Sequence, residues 1–509
     1  MLISARPGTN VINKNKHQYR RKIMKRSSGV LMHISSLPGD YSIGGFSKSA
    51  KEFIDILAES GFTYWQTLPF CMVDEYNSPY KSSSAFAGNP YFIDLEKLCS
   101  LGLITKDELS LARQENEYVC EFSRLANERI PLLTLAAKRA DSTLREEIES
   151  FISENDEIEK YCRFMALKEA NNNAPWQEWE VLECDAESVF PWQMMQYFFH
   201  KQWAEIKAYA NKKGIKIIGD IPIYVSLDSC DVWEHKGEFY LDENGYPTVV
   251  AGCPPDYFAK DGQLWGNPIY NWEAMKGDGF SWWQKRMKYM LSLFDGVRID
   301  HFRGLDSYWS IPATAKSAKE GKWVEGPGRE FIDMLHNVAK DKLIIAEDLG
   351  DISESVVKLL EYSGFPGMRV MQFGFLGDKD SPHIPHNYVK NCVAYTGTHD
   401  NNTLLGYVWE ANEDNRRELL DYCGFTEREW NCAQSYDKII RTIMSSVADT
   451  VIFPVQDILL YGADTRMNTP GESDGNWSFR LTNWQIEGID KAKFKKLNEL
   501  YCRSGSNDT

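Results

Sequence analysis

No run of this sequence reaches the roughly 18 consecutive apolar residues that a membrane-spanning helix needs, so a transmembrane protein is not expected. Basic charge is also in short supply: 57 Lys and Arg against 73 Asp and Glu leave a formal net charge of −16. That balance argues against general nucleic-acid binding, because phosphate recognition wants the opposite sign. The 11 cysteines are odd in number and scattered, with no CxxC pair. This pattern speaks against a disulfide framework or a thiolate zinc site and fits reduced thiols in a cytoplasmic protein. The first 26 residues hold no acid at all, but carry Arg6, Lys14, Lys16, Arg20, Arg21, Lys22, Lys25 and Arg26. They also lack the apolar core of a secretory signal, and are expected to form a disordered basic tail preceding a domain at 27–509.

From residue 28 a rhythm of short apolar strands and amphipathic helices sets in. Strands are expected at 29–37, 64–70, 215–225, 295–302, 342–350, 368–375, 392–400 and 450–459. The segment between the first two, SKSAKEFIDILAES (47–60), has apolar residues at helical spacing. Eight strands with helices between them suit a closed (β/α)8 TIM barrel, with a doubly wound open sheet as the competitor. The barrel is favoured because polar groups end at least four different strands and no Gly-rich phosphate fingerprint follows the first. Residues about 98–191 break the rhythm. They are acidic, helical in pattern and opened by Thr105-Lys106-Asp107-Glu108, a capping-box sequence, so they are read as an inserted, mostly helical subdomain.

The chemistry gathers at the strand ends. FDGVRIDHFRGL (294–305) places Arg298 and Asp300 two apart, on one face of a strand. A cation beside a carboxylate holds it ionised, as a nucleophile or metal ligand must be. Asp220 lies in the third strand, Asp300 ends the fourth, Glu347 the fifth and Asp400 the seventh. In a (β/α)8 barrel those ends converge on one pocket, where crowded acids repel and at least one is pushed to hold its proton. Two carboxyls in different protonation states are the equipment for cleaving a glycosidic bond. A Mg²⁺ site is the rival reading, since hard cations prefer such oxygens. Arg298 and His399 among the acids, and no lysine at a strand end, speak against it. Most of the 16 tryptophans and 25 tyrosines must be core, but an excess also suits a groove that stacks flat, amphipathic ligands such as sugars.

Taken in order, SGVLMHISSLPG (28–39), NSPYKSSSAFAGNPYFIDL (77–95), GDIPIYVSLDS (219–229), AGCPPDYF (251–258), GQLWGNPIYNW (262–272), DGVRIDHFRGL (295–305), AEDLG (346–350), GMRVMQF (367–373), TGTHDNNT (396–403) and RMNTPGESDGNW (466–477) resemble the 4-α-glucanotransferase (amylomaltase, or disproportionating enzyme) family of the wider α-amylase-like superfamily. The resemblance implies a transferase of carbohydrate metabolism. It would move a segment of an α-1,4-glucan to the 4-hydroxyl of glucose or another glucan by retaining double displacement. It also implies Asp300 as nucleophile, Glu347 as general acid/base and Asp400 as the third acid that binds the distorted sugar. Maltooligosaccharides and α-1,4-glucans are the implied partners, glucose an acceptor, and no cofactor or metal is implied. Tyr80 resembles the family's stacking tyrosine, Arg298 would orient Asp300, and His399 and Asn468 would contact sugar hydroxyls. Asp220 would bind sugar or brace Arg298, and Trp265 and Asn267 would line the acceptor side. An α-glucan hydrolase of the same superfamily is the alternative, and a glucan-binding protein without catalysis is disfavoured by the presence of all three acids.

The segment at about 251–267 combines Pro254 and Pro255 with Gly252, Gly262 and Gly266, and is read as a lid loop presenting Tyr257 and Phe258. A transferase has to let a sugar hydroxyl outcompete water at roughly 55 M, and aromatic acceptor contacts with water exclusion are the available means. Tyr257→Ala or Phe258→Ala should therefore raise the hydrolysis-to-transfer ratio on maltotriose. An unchanged ratio counts against the lid.

Overall fold

The computed structural model describes residues 25–255, 260–427 and 430–505. Tyr257 and Phe258, and residues 1–24 of the expected tail, lie outside the described residues. Among the described residues twelve strands form. The first six are β1 (Ser27–Leu31), β2 (Tyr64–Gln66), β3 (Lys216–Ile221), β4 (Val249–Cys253), β5 (Gln263–Pro268) and β6 (Gly296–Ile299). The rest are β7 (Ser307–Pro312), β8 (Lys322–Glu325), β9 (Leu343–Ala346), β10 (Gly367–Val370), β11 (Cys392–Tyr395) and β12 (Thr450–Pro454).

Eight of them close into a parallel barrel in the order β1-β12-β11-β10-β9-β6-β3-β2. Their Val- and Ile-rich runs are buried on both faces, by the barrel interior and by the surrounding helices, which is why they show little alternation. Helix α1 (Lys48–Glu59) connects β1 to β2 and turns Ala50, Phe53, Ile54 and Leu57 inward, as its spacing predicts. All eight barrel strands fall where the sequence places them, but they stop sooner. The expected strand 29–37 ends at Leu31 and Ile34–Ser36 turn into a 3-10 helix. Its ladder with β12 ends at Pro454, which has no N–H to continue it. Likewise 368–375 ends at Val370, with Met371–Phe375 curling into a 3-10 turn. The polar residues at the mouth therefore sit on turns just beyond the strands.

A second sheet, antiparallel in the order β5-β4-β7-β8, was not anticipated. It corrects the reading of 251–267 as a loop: residues up to Cys253 and from Gln263 onward are the paired arms of a hairpin. The segment 98–191 is helical as expected. Its Thr105 capping box is complete, with Thr105 accepting from the Glu108 N–H and Glu108 accepting from the Thr105 N–H. The helix Asp156–Ala170 buries Ile158, Tyr161, Phe164 and Leu167, and the insertion runs into the long helix α2 (Ala186–Lys212) that leads to β3.

The boundary of the tail also needs correction. Arg26 is anchored, its guanidinium donating to the carbonyls of Met444, Ser446 and Tyr501. Arg503, fully buried beside it, donates to Met444, Ser27, Asp449 and Ser446. Burial, reinforced by the like charge of Arg26, pulls the Arg503 pKa down to about 9. These arginines bind the edge where β1 meets β12 and so brace barrel closure. No helix among the described residues is long and apolar enough to cross a membrane. Arg503→Ala removes hydrogen bonds to four main-chain carbonyls and empties a fully buried site, and should cost about 3 kcal/mol or more, read as a lowered unfolding midpoint in urea.

Candidate active site

Strand register assembles the site. Asp220 on β3 is the register partner of Arg298 on β6, so both side chains project to the same side of the barrel wall. Ile299 pairs with Ala346 on β9, which brings the next residues, Asp300 and Glu347, to the same level. Arg298 Nη1 lies 2.8 Å from each Asp220 carboxylate oxygen, and its Nη2 lies 2.8 Å from Asp300 Oδ1. Asp220 is fully buried and Arg298 nearly so, whereas the Asp300 side chain is 28 % exposed. Burial opposes the charge on Arg298, but Asp220 and Asp300 outweigh it and hold the guanidinium well above its usual pKa. For Asp220 burial wins over Arg298 and its pKa is raised.

Glu347 is the counterpart. Burial pushes its pKa up to about 8; Arg298 works against this and the charge of Asp300 adds to it. Its Oε2 accepts the His301 N–H at 2.7 Å and its Oε1 the Leu349 N–H at 2.9 Å. Glu347 thus carries a proton at neutral pH beside Asp300, which faces a fixed cation. The next residue, Asp348, is held by Arg369 at 2.8 Å and by the Met368 N–H. This fit depends on Gly367, since a Cβ there would come within 2.6 Å of an Asp348 oxygen.

The third acid belongs to a polar chain. Asn468 Nδ2 donates to Asp400 Oδ1 at 2.6 Å, and His399 Nε2 lies 3.3 Å from Asp400 Oδ2. Arg466 holds the Asp400 carbonyl, and the Asn468 N–H donates to the His399 carbonyl. The Tyr80 hydroxyl gives its one proton to Asp220 at 2.7 Å and so accepts from His399 Nε2 at 2.9 Å, which assigns the proton to that ring nitrogen. Tyr80 stacks on His399, with centroids 5.3 Å apart and planes 16° apart. Asp220 and Asp400 are therefore joined through a tyrosine and a histidine.

Asp220, Arg298, Asp300, Glu347, His399, Asp400, Tyr80 and Asn468 thus lie in one connected group. Trp265 sits beside it, edge-on to His301 at 5.0 Å. Asn267 is buried and its amide donates to the Val225 carbonyl at 2.9 Å, fastening β5 to the segment after β3. Sequence reasoning missed His301, Asp348 and Asp457. Asp457 accepts from Thr396 Oγ1 and the Leu404 N–H, closing both ends of the loop that carries His399 and Asp400. The only signal was their place beside the acids or in AEDLG and VQDIL, which spacing alone does not distinguish from packing. Among the described residues no three His, Cys, Asp or Glu side chains are grouped to hold a metal ion, and the cation among the strand-end acids is Arg298.

A family model described as 4-alpha-glucanotransferase matches residues 32–486. A 4-alpha-glucanotransferase of Clostridium butyricum is 42% identical over 492 residues, covering 93% of this chain and 100% of that protein. One from Streptococcus pneumoniae is 41% identical over 504 residues, covering 95% and 98%. The solved structure of an amylomaltase from Streptococcus agalactiae in complex with acarbose superposes with a TM-score of 0.90 at 38% identity, covering 94% of this chain and 100% of that one.

Glu347 generates a stability test. Its pKa in the folded protein, about 8, exceeds the usual 4.5 of an unfolded glutamate. Between those values the folded state keeps a proton that the unfolded chain releases, so the contribution of Glu347 to stability falls as pH rises through this window. Glu347→Gln removes the titration, and its Tm should gain on the parent protein from pH 5 to pH 9. A Tm difference independent of pH would contradict the assignment.

Proposed function

This chain belongs to the 4-alpha-glucanotransferase family, and from that premise we propose how its residues share the work of moving a segment of an α-1,4-glucan to a 4-hydroxyl acceptor. The observation that carries the proposal is the contrast across one strand-end pair: Asp300 lies 2.8 Å from the Arg298 guanidinium, and Glu347 is buried, which raises its pKa.

Asp300 attacks the anomeric carbon of the donor while Glu347 gives its proton to the departing glycosidic oxygen. The C–O bond to the leaving glucan breaks and an Asp300 ester of the glucosyl chain forms. Glu347, now ionised, takes the proton from the acceptor 4-hydroxyl, whose oxygen displaces Asp300 and restores the original configuration. Asp400, held by Asn468 and His399, binds hydroxyls of the distorted sugar and favours the charge that develops on its ring. Asp220 braces Arg298, and Tyr80 offers the sugar the ring face not stacked on His399. Trp265 lines the acceptor side and Asn267 holds its hairpin.

Maltooligosaccharides and longer α-1,4-glucans are the donors, and glucose or another glucan is the acceptor. The acidic surface disfavours nucleic acid, and buried thiols such as Cys162 and Cys230, unbridged, fit a reducing cytoplasm. Incubation with maltotriose tests the scheme. A ladder of longer maltodextrins with free glucose is expected, whereas short sugars alone would mean hydrolysis. Asp300→Asn should abolish transfer and hydrolysis together, and residual transfer near the parental rate would remove Asp300 from the nucleophile role.

A further inference from the structure

Three consecutive residues after Asp300 all bind the segment that carries Glu347. The His301 N–H donates to Glu347 Oε2 at 2.7 Å, and the Phe302 N–H donates to the Glu347 carbonyl at 3.0 Å. The Arg303 guanidinium donates to the Asp351 carbonyl and lies 3.5 Å from the Asp351 carboxylate. The run is possible because His301 adopts a left-handed backbone, with φ 51° and ψ 52°, which turns the chain off the β6 direction toward the residues after β9. A residue other than glycine is uncommon in that region, and it persists where its surroundings hold it.

Those surroundings include the second sheet. Arg303 is buried, and its guanidinium carbon lies 3.8 Å from the centroid of the Trp323 ring on β8. Trp323 is the register partner of Trp309 on β7, with ring centroids 5.1 Å apart at 70°. From β5 of the same sheet, Trp265 meets His301 edge-on. The antiparallel sheet thus grips the turn at its first and third residues.

We propose that His301 and Arg303, gripped by Trp265 and Trp323, form a spacing clamp through which the second sheet sets where the Glu347 carboxyl stands relative to Asp300. This rests on the nucleophile and acid/base reading above. Retaining displacement needs its two carboxyls about 5–5.5 Å apart, and a misplacement of 1 Å costs about a hundredfold in rate. Arg303 is a positioning residue, acting through the backbone of Asp351. A lysine does not replace it, because only the planar guanidinium stacks on an indole while donating within its plane.

The charged groups facing the Glu347 carboxyl are Arg298 and Asp300, both on or next to β6, and its other partners are the backbone N–H groups of His301 and Leu349. Burial lowers the His301 imidazole to about 4, so it is neutral across the working range. A clamp variant leaves all these groups in the sequence and changes only their placement and the water that reaches Glu347.

The test uses Arg303→Lys, Trp323→Ala and Trp323→Phe in the full chain, with maltotriose disproportionation followed as a function of pH and Tm measured for each. In the first two variants kcat should fall about tenfold or more with KM held within about twofold. The alkaline limb of kcat/KM should move to lower pH, as Glu347 gains solvent and releases its proton more readily. Trp323→Phe, which keeps a ring over the guanidinium, should return both readouts to near the parental values. An alkaline limb that stays in place in Arg303→Lys and Trp323→Ala overturns the clamp, whatever happens to kcat or Tm. If Arg303→Lys fails to fold, Trp323→Ala decides alone, since Trp323 is 39% exposed on an edge strand. An unmoved limb together with an inactive Asp300→Asn overturns the clamp only, whereas an active Asp300→Asn overturns the reading beneath it.

Discussion

One buried guanidinium governs this site. Arg298 touches both oxygens of Asp220 and one of Asp300. Taking a carboxylate out of water costs several kcal/mol even after relaxation, unless a partner with good geometry compensates. The cation lets Asp220 sit fully inside the barrel and also faces the more exposed Asp300. The state of the third carboxyl is set by burial, which outweighs Arg298 and is reinforced by the charge of Asp300. An anion at Glu347 would be buried away from water. Glu347 keeps its proton instead, with a pKa pushed to about 8. One strand-end pair is thereby split between a carboxyl beside a fixed cation and a carboxyl that burial keeps protonated.

The barrel was legible because a parallel strand inside two layers of protein is written in Val, Ile and Leu without relief, as in KLIIAEDLG and DGVRIDHF. The acids were legible for the same reason, since a charge directly after such a run has to lie at the open end. What was misread follows from the same code. Composition runs on past the point where a ladder loses its partner, so strands were drawn too long, as at Leu31 opposite Pro454. The second sheet went unseen because its strands carry Gly252, Gly266 and the exposed Lys322, which read as loop. Arg26 was taken for tail because charge near a chain end resembles a solvated run, while its hydrogen bonds reach residues more than 400 positions away.

The site was legible as side chains and opaque as backbone. Carboxylates and the arginine announce themselves by type and spacing. The left-handed turn at His301 does not, since histidine gives no hint of positive φ of the kind a glycine would. Nor does sequence reveal that the Glu347 carboxyl is satisfied by two main-chain N–H groups, or that Asp348, which reads as one more strand-end acid, is spent on Arg369.

Exposure across the three acids follows a gradient that suits the order of events in the scheme proposed above. Asp400 is the most open at 43%, Asp300 is intermediate at 28%, and Glu347 is buried. A sugar entering the cleft meets the open acid first and is gripped through hydroxyls. Its anomeric carbon then comes against Asp300, which is held beside Arg298. The proton sits deepest, where low dielectric strengthens its delivery to the leaving oxygen and where bulk water is scarce. Once that proton has left, Glu347 becomes an anion in a place that disfavours one, and it recovers only by taking a proton from whatever hydroxyl fills the cleft above it. An incoming glucan brings apolar sugar faces that dry the site further and raise that demand, whereas a lone water does not. The burial that makes Glu347 an acid in the first step is therefore the same property that favours a sugar as its partner in the second.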